Sequence, residues 1–231
     1  MLNKLMSSAM LVGAAMFLYA QPAQAQQTVN FTLGYFVPRG TDARVVGDVL
    51  NENRTFLLFD DSDFNSASVG GEWLIPLGQF IEAGAGISYS GRTVPSIYAD
   101  FEDSDGTEIE QDLKLRLVPA AFTIRVVPTG QRSPVQPYFG LGLGIINWRY
   151  SEIGEFIDFG AGREIFTDAF VANGTETGPI ALGGIRFAGR TASAGFEVRF
   201  QKANADLDNR FAGSKIDLGG FTYNFTAGIR F

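Results

Sequence analysis

The chain has 231 residues, including 28 glycines and 21 phenylalanines, and it contains neither cysteine nor histidine. This length suits one large all-β domain or two small domains, and the glycine content disfavours a helical protein. Disulfides, thiolate or imidazole metal ligands and the commonest general base are excluded. The net charge of −7 argues against nucleic-acid binding.

The first segment of the chain has the form of a secretory signal peptide. Lys4 precedes an apolar run over 10–20, and Ala23-Gln24-Ala25 then matches the A-x-A cleavage signal. The alternative is a membrane anchor, but the run is shorter than the roughly 20 residues of a spanning helix. We predict that residues 1–25 are a cleaved signal peptide and that residues 26–231 form the mature domain.

Seven segments of the mature chain alternate between apolar residues and polar or glycine residues. Successive side chains of a strand point to opposite faces, so each segment predicts a strand with one apolar face. In chain order these segments are 29–37, 67–75, 80–89, 137–145, 178–187, 192–201 and 219–231.

An eighth segment, over 112–126, changes phase around Pro119. A proline inside a strand is best tolerated at a bulge, and a bulge shifts the alternation by one residue. We therefore predict a β-bulge at 118–120, which places Lys114 and Arg116 on the polar face. The apolar residues on the two sides of the proline are Leu113, Leu115 and Leu117, then Phe122, Ile124 and Val126.

The connections between these strands are alternately short and long. The short ones lie near 76–79, 128–135 and 188–191, and the long ones near 38–66, 91–110, 150–177 and 203–217. An even-stranded up-and-down barrel collects all short turns at one rim, and in outer-membrane barrels that rim is periplasmic.

The predicted fold class is therefore all-β, an eight-stranded antiparallel up-and-down transmembrane β-barrel of a Gram-negative outer membrane. Strands of about ten residues suit a tilted membrane crossing, and lipid would cover their apolar faces. A soluble up-and-down barrel is the alternative, in which the apolar faces would surround a ligand. Aromatic residues near the strand ends suit interfacial girdles and favour the membrane: Tyr35, Trp73, Phe80, Tyr89, Phe187 and Phe231.

Two stretches resemble known outer-membrane barrels. The segment from Leu115 to Ile145 resembles the strand–turn–strand region of small OmpW-like and OmpA-like barrels. The C-terminal strand resembles the assembly signal that the barrel-assembly machinery reads, and its signal residues are Tyr223, Phe225, Ile229 and Phe231.

The resemblance implies a passive structural barrel, a narrow channel or a conduit for small hydrophobic solutes. It brings no catalytic motif, and enzymes among such barrels use a histidine that this chain lacks. We expect no enzymatic activity, no cofactor and no metal. The expected partners are the lipid bilayer, lipopolysaccharide and the assembly machinery, with the protein itself a monomer.

The polar faces predict a charged lumen. Because charges in a narrow barrel need partners, this lumen is either plugged by salt bridges or forms a thin polar path that favours anions. By parity it holds three acidic and six basic residues: Glu72, Glu82, Glu197, Lys114, Arg116, Arg125, Arg186, Arg199 and Arg230.

The loops carry two further candidate features. Acidic residues crowd 100–110, where they form a solvated loop or contact cations. Phe56, Leu57, Leu58 and Phe59 form an apolar patch that caps the barrel, binds a hydrophobic solute or packs on other loops. Two functions stay open. One is an OmpW-like channel or conduit, and the other is a plugged structural or interaction barrel whose acidic loops contact lipopolysaccharide, cations or other surfaces.

Overall fold

The computed structural model describes residues 26–158 and 162–231, so the predicted signal peptide lies outside the described residues. In these ranges eight antiparallel strands form a closed barrel in up-and-down order, which confirms the predicted fold class. The barrel strands are β1 (Thr28–Pro38), β2 (Ser66–Pro76), β3 (Ile81–Glu102), β4 (Glu108–Val126), β5 (Val135–Asp158), β6 (Glu164–Ala188), β7 (Ala192–Gln201) and β10 (Gly220–Arg230). Two short strands, β8 (Asn204–Asp206) and β9 (Lys215–Asp217), pair outside the barrel.

The first and last strands close the ring. β1 pairs with β10 along its full length, from Thr28 opposite Arg230 to Pro38 opposite Gly220. Just below, Gln27 and Phe231 exchange backbone hydrogen bonds of 2.9 and 3.0 Å. Closure gives the backbone groups of both terminal strands a partner, as a spanning barrel requires.

An apolar belt surrounds the half of the barrel nearest the short turns. On β5 it runs from Val135 to Ile145, about 34 Å of strand, which a tilt of about 40° reduces to about 26 Å of height. Leu141 and Phe225 are each 70% exposed on this belt. The apolar side chains therefore point away from the barrel axis, contrary to the soluble-barrel alternative, and lipid is the medium that covers such a belt.

The predicted bulge at 118–120 is wrong. β4 pairs with β5 without a register shift, from Gln111 opposite Gly154 to Val126 opposite Phe139, with Pro119 opposite Ile146. Odd-numbered residues of β4 point inward along its whole length. The change at Pro119 is therefore a change in what surrounds the two faces of the strand, not a change in the backbone. Within the belt apolar side chains point out to lipid, and beyond it they point in to a core. Lys114 and Arg116 consequently lie on the outer face and not in the lumen.

Four strands continue far beyond the belt. β3 to β6 have 22, 19, 24 and 25 residues, so only 103–107 separate β3 from β4, while β5 continues to Asp158 and β6 begins at Glu164. The predicted long loops over 91–110 and 150–177 are therefore mostly strand. We call the parts of β3 to β6 beyond the belt (91–102, 108–117, 147–158 and 164–177) the apical extension.

The two remaining long connections fold onto this extension. Loop 1 (39–65) contains helix α1 (Val49–Asn53) and two 3₁₀ turns, Thr41–Ala43 and Asp61–Phe64. It adds to β3 through a bridge between Leu57 and Tyr98. Loop 4 (202–219) contains the β8–β9 pair. Over the described ranges, no helix has the length and apolarity to span a membrane.

Candidate functional site

A layer of ion pairs fills the lumen near the short-turn rim. Six of the predicted lumen residues converge there from five strands, and all are buried or nearly so. We call them the charged layer: Glu72, Glu82, Arg125, Arg186, Glu197 and Arg199.

Four members of the charged layer alternate in sign. The Arg125 guanidinium bonds to Glu72 and lies 3.0 Å from the Glu197 carboxylate. The Arg199 guanidinium reaches the same two carboxylates, at 3.2 Å to Glu72 and 2.8 Å to Glu197. Each charge therefore has two partners of opposite sign, which is the condition under which buried charges are tolerated.

The other two members form a separate pair. Arg186 donates to both carboxylate oxygens of Glu82, at 3.3 and 2.9 Å, in a fork-to-fork arrangement. Gln136 accepts from Arg186 Nε at 2.8 Å, and Gln131 donates to Glu82 at 3.1 Å. Because Gln131 lies in the short β4–β5 turn, this turn closes the lumen from below.

Tyr138 joins the two groups. Its ring lies 5.1 Å from the Arg125 guanidinium carbon and 5.8 Å from that of Arg186, and its hydroxyl donates to Glu197 at 3.2 Å. Sequence reasoning did not single out Tyr138, Gln131 or Gln136. The alternation along β5 could have identified Tyr138, since this residue shares the inward face with the alternating glycines of the strand.

The lumen carries much less excess positive charge in the structure than the sequence predicted. Three arginines balance three glutamates in the charged layer, while Lys114 and Arg116 point outward. Arg230 lies at the rim, where its guanidinium donates to the carbonyl oxygens of Gly189 at 2.6 Å and Gln131 at 3.4 Å. Above the layer is a cavity of about 20 Å³, which suits about one water molecule.

A second closure lies above that cavity. Inward side chains of the apical extension meet side chains from both long loops and form one apolar cluster, which we call the apolar plug. Its members include Leu113, Leu115, Leu117, Ile146, Trp148, Tyr150, Phe36, Val49, Leu50, Leu57, Phe64, Phe211, Ile216 and Leu218.

The predicted loop patch is divided by this plug. Leu57 is buried at 2% exposure, and Phe56 and Phe59 pack against the cluster. Leu58 is 56% exposed. Three residues of the patch therefore pack on the plug, and Leu57 also pairs with β3.

Ion pairs fix the two loops to each other. Arg44 donates to both oxygens of Asp48, at 2.6 and 3.2 Å, and to the carbonyl oxygen of Asp217 at 3.1 Å. Arg39 binds the Asp217 carboxylate at 2.8 Å. These residues come from loops 1 and 4, so the loops form one body.

A buried carboxylate without an ion-pair partner lies in the plug, well above the membrane-spanning part of β5. Glu152 accepts hydrogen bonds from the amide of Asn53 at 2.6 Å and the hydroxyl of Tyr150 at 2.9 Å. Burial raises the pKa of Glu152, and these two hydrogen bonds oppose the rise. The described residues include no ion pair to this group.

The remaining predicted features lie on the outside. The side chains of Tyr223, Phe225, Ile229 and Phe231 are exposed on the belt at 42, 70, 69 and 65%. The acidic residues of 100–110 lie at the β3–β4 hairpin tip. Within the described part of the chain, no group of three or more acidic side chains is arranged to hold a metal ion.

Comparison with solved structures gives the same fold. The outer membrane protein OprG from Pseudomonas aeruginosa matches with a TM-score of 0.53 and 13% identity, over 90% of this chain and 96% of that chain. The N-terminal β-barrel domain of Pseudomonas aeruginosa OprF has a TM-score of 0.44 and 12% identity, over 90% and 100%. Neisserial surface protein A has a TM-score of 0.43 and 12% identity, over 89% and 95%.

No protein-family profile matches the sequence, and no curated protein is similar to it in sequence. At such low identities a structural likeness shows the fold alone. The chain therefore has the fold of an eight-stranded outer-membrane β-barrel, as the sequence predicted.

Proposed function

We propose that this protein is an integral, non-enzymatic protein of a Gram-negative outer membrane that acts as a closed interaction barrel. The observation that carries the proposal is the closure of its lumen at two levels. The charged layer fills one level and the apolar plug fills the other. A lumen of eight strands is only wide enough for side chains, so we expect these two sets of side chains to block a continuous aqueous path.

The two closures differ in chemistry, which matters for transport. An ion would have to separate buried pairs such as Arg125–Glu197, at 3.0 Å, and would then meet the apolar side chains of the plug. Both steps cost free energy, since each leaves charge without a partner in a medium of low polarity. The geometry favours the plugged barrel over the OmpW-like channel.

The surface available for function is the apical extension with loops 1 and 4. The salt bridges of Arg39 and Arg44 hold the loops rigidly, and the plug supports them from below. A rigid, pre-formed surface loses little conformational entropy on binding. This suits contacts with lipopolysaccharide, cations or other surfaces outside the membrane.

Single-channel recording of the refolded protein in a planar bilayer tests the closure. We expect insertion without discrete openings, whereas a conducting porin in the same chamber opens under the same voltage. The variant Arg125→Ala/Glu197→Ala removes part of the charged layer but leaves the plug, so it is also expected to stay silent. Discrete openings of the wild-type protein would overturn the proposal and restore the channel hypothesis.

A further inference from the structure

Three basic side chains lie together on the outer face of the barrel, just above the apolar belt. Arg116 on β4 is directly opposite Arg149 on β5, and Lys114 is opposite Ser151, one outward position higher. Both strands turn these residues outward, because Leu115 and Leu117 of β4 and Trp148 and Tyr150 of β5 point into the plug. We call Lys114, Arg116 and Arg149 the basic triplet.

The triplet has no counter-charge within the described residues. None of the three side chains forms an ion pair, and Arg116 Nε is buried without a hydrogen-bond partner. The outward positions beside it on β3 and β6 are uncharged: Gly91 is opposite Arg116, Thr93 is opposite Lys114 and Asn173 is opposite Arg149. The nearest outward carboxylate along β4 is Asp112, beyond Lys114.

Like charges directly opposite each other in an antiparallel pair are destabilising. A bound anion between Arg116 and Arg149 would remove that repulsion and give the free Nε an acceptor. Two guanidinium groups and an ammonium group suit the several oxygens of a phosphate, which guanidinium binds in a forked geometry.

The height of the triplet identifies the source of the phosphate. Ile145 is the last apolar residue of the belt on β5, and Arg149 lies two outward positions above it, about 13 Å along the strand. On β3, Tyr89 ends the belt and is followed by Gly91, and aromatic side chains of this kind lie at headgroup level. The triplet is therefore level with the headgroups of the lipid leaflet on the long-loop side.

We propose that the basic triplet binds the phosphate of a phosphorylated lipid headgroup in the outer leaflet. The site rests on the proposed membrane location but not on the closed lumen, so a conducting barrel would leave it intact. The acidic hairpin tip at 100–110 lies farther from the membrane, and it would repel a phosphate that was not held at the belt edge.

Binding of diphosphoryl lipid A to the refolded protein in neutral detergent micelles tests this site. We expect Arg116→Gln/Arg149→Gln to weaken binding about a hundredfold or more, since each charge-assisted hydrogen bond contributes about tenfold to a hundredfold and the variant removes two guanidinium groups. The matched control is Arg132→Gln/Arg190→Gln, which removes the same charge from exposed turns at the opposite rim. The control is expected to bind as the wild-type protein does.

A second variant adds a negative charge instead of removing positive charges. Thr93→Glu places a carboxylate opposite Lys114, where an opposite-charge pair favours the folded strand. It should weaken lipid binding without loss of stability, which separates binding from misfolding. Equal affinity of wild type, the double variant and Thr93→Glu would overturn the proposal.

Two further probes decide what is bound. Dephosphorylated lipid A should bind equally weakly to the wild-type protein and to the double variant. Inorganic pyrophosphate should compete poorly, because it lacks the acyl chains that contact the belt. If pyrophosphate alone bound as tightly as diphosphoryl lipid A, the site would be one for a free anion and the lipid proposal would fail.

Discussion

The carboxylate of Asp48 accepts a hydrogen bond at 2.6 Å from the backbone N–H of Asp217, although the two residues are 169 positions apart. Arg44 reinforces this contact, because its guanidinium binds the Asp48 carboxylate and the Asp217 carbonyl oxygen together. The side chains of Arg44 and Asp48 are both fully buried. Together with the Arg39–Asp217 ion pair, this contact holds loop 1 and loop 4 over the plug.

Replacing Asp48 should release both loops without opening the barrel. Asp48→Asn leaves the Arg44 charge buried without its carboxylate, which costs about 3–5 kcal/mol. Hydrogen–deuterium exchange should become faster in peptides covering 44–58 and 203–218 and stay unchanged in β1 and β10. Asp42→Asn is the control, since it removes the same charge from an exposed residue of loop 1. Equal effects of the two variants would contradict this interpretation.

The charged layer should stabilise the barrel through its pairing. Glu197→Gln retains an acceptor for the Tyr138 hydroxyl but removes the carboxylate shared by Arg125 and Arg199. We expect a loss of about 3–5 kcal/mol in the free energy of unfolding, measured by urea titration of the protein in vesicles. Asp208→Asn, which breaks an exposed pair with Arg210, should change nothing measurable. A wild-type unfolding curve for Glu197→Gln would show that the layer does not stabilise the fold.

Within the belt, the sequence predicts side-chain direction because the surroundings are constant. Over the whole height of the belt, lipid lies outside the barrel and a filled lumen lies inside it. The apolar, odd-numbered residues of 139–145 therefore identify the outer face of β5. The same rule placed Glu72, Glu82, Arg125, Arg186, Glu197 and Arg199 in the lumen, where the structure brings them together as the charged layer. Their pairing could not be predicted, because it depends on the stagger between five strands.

Beyond the belt the same rule fails, for a physical reason. Water replaces lipid outside, and loop 1 fills the barrel inside, so the apolar parity of β4 reverses although the strand does not. The change at Pro119 therefore marks a change of medium. The lengths of β3 to β6 were missed for the same reason, since their apical parts are rich in polar and acidic residues typical of loops.

Single cysteines can test the direction of β4 directly, because the chain has no native cysteine. Lys114→Cys should react quickly with a water-soluble maleimide, since Lys114 is exposed on the outer face. Leu113→Cys should react slowly, because Leu113 is fully buried in the plug. Labelling of the folded protein in micelles, with the urea-unfolded protein as reference, gives both rates. The opposite order would restore the bulge at 118–120.

Neighbouring leucines in loop 1 offer a matched test of the plug. Leu57→Ala removes a side chain that is 2% exposed, which should cost about 2–5 kcal/mol through lost burial and a residual cavity. Leu58→Ala changes a side chain that is 56% exposed, and it should stay within about 0.5 kcal/mol. Protease cleavage of loop 1 on the folded barrel compares the two. If Leu58→Ala were cleaved faster, the patch would contact the barrel through the other face.

Glu152 should make the plug less stable as the pH rises. Burial raises its pKa in the folded protein above the ordinary value of about 4.3, so the folded state holds the proton more tightly than the unfolded state. The free energy of unfolding is therefore highest below the ordinary pKa. It falls as the pH rises from there through the raised pKa, because folding then requires a buried charge.

The variant Glu152→Gln isolates this effect, since its amide oxygen can still accept from Asn53 and Tyr150. Urea unfolding can be followed by the fluorescence of the buried Trp148 in a Trp73→Phe background, between pH 4 and pH 8. We expect the wild-type stability minus the variant stability to decrease with pH and then to level off. A difference that increased with pH would mean that Glu152 is stabilised as the carboxylate in the folded plug.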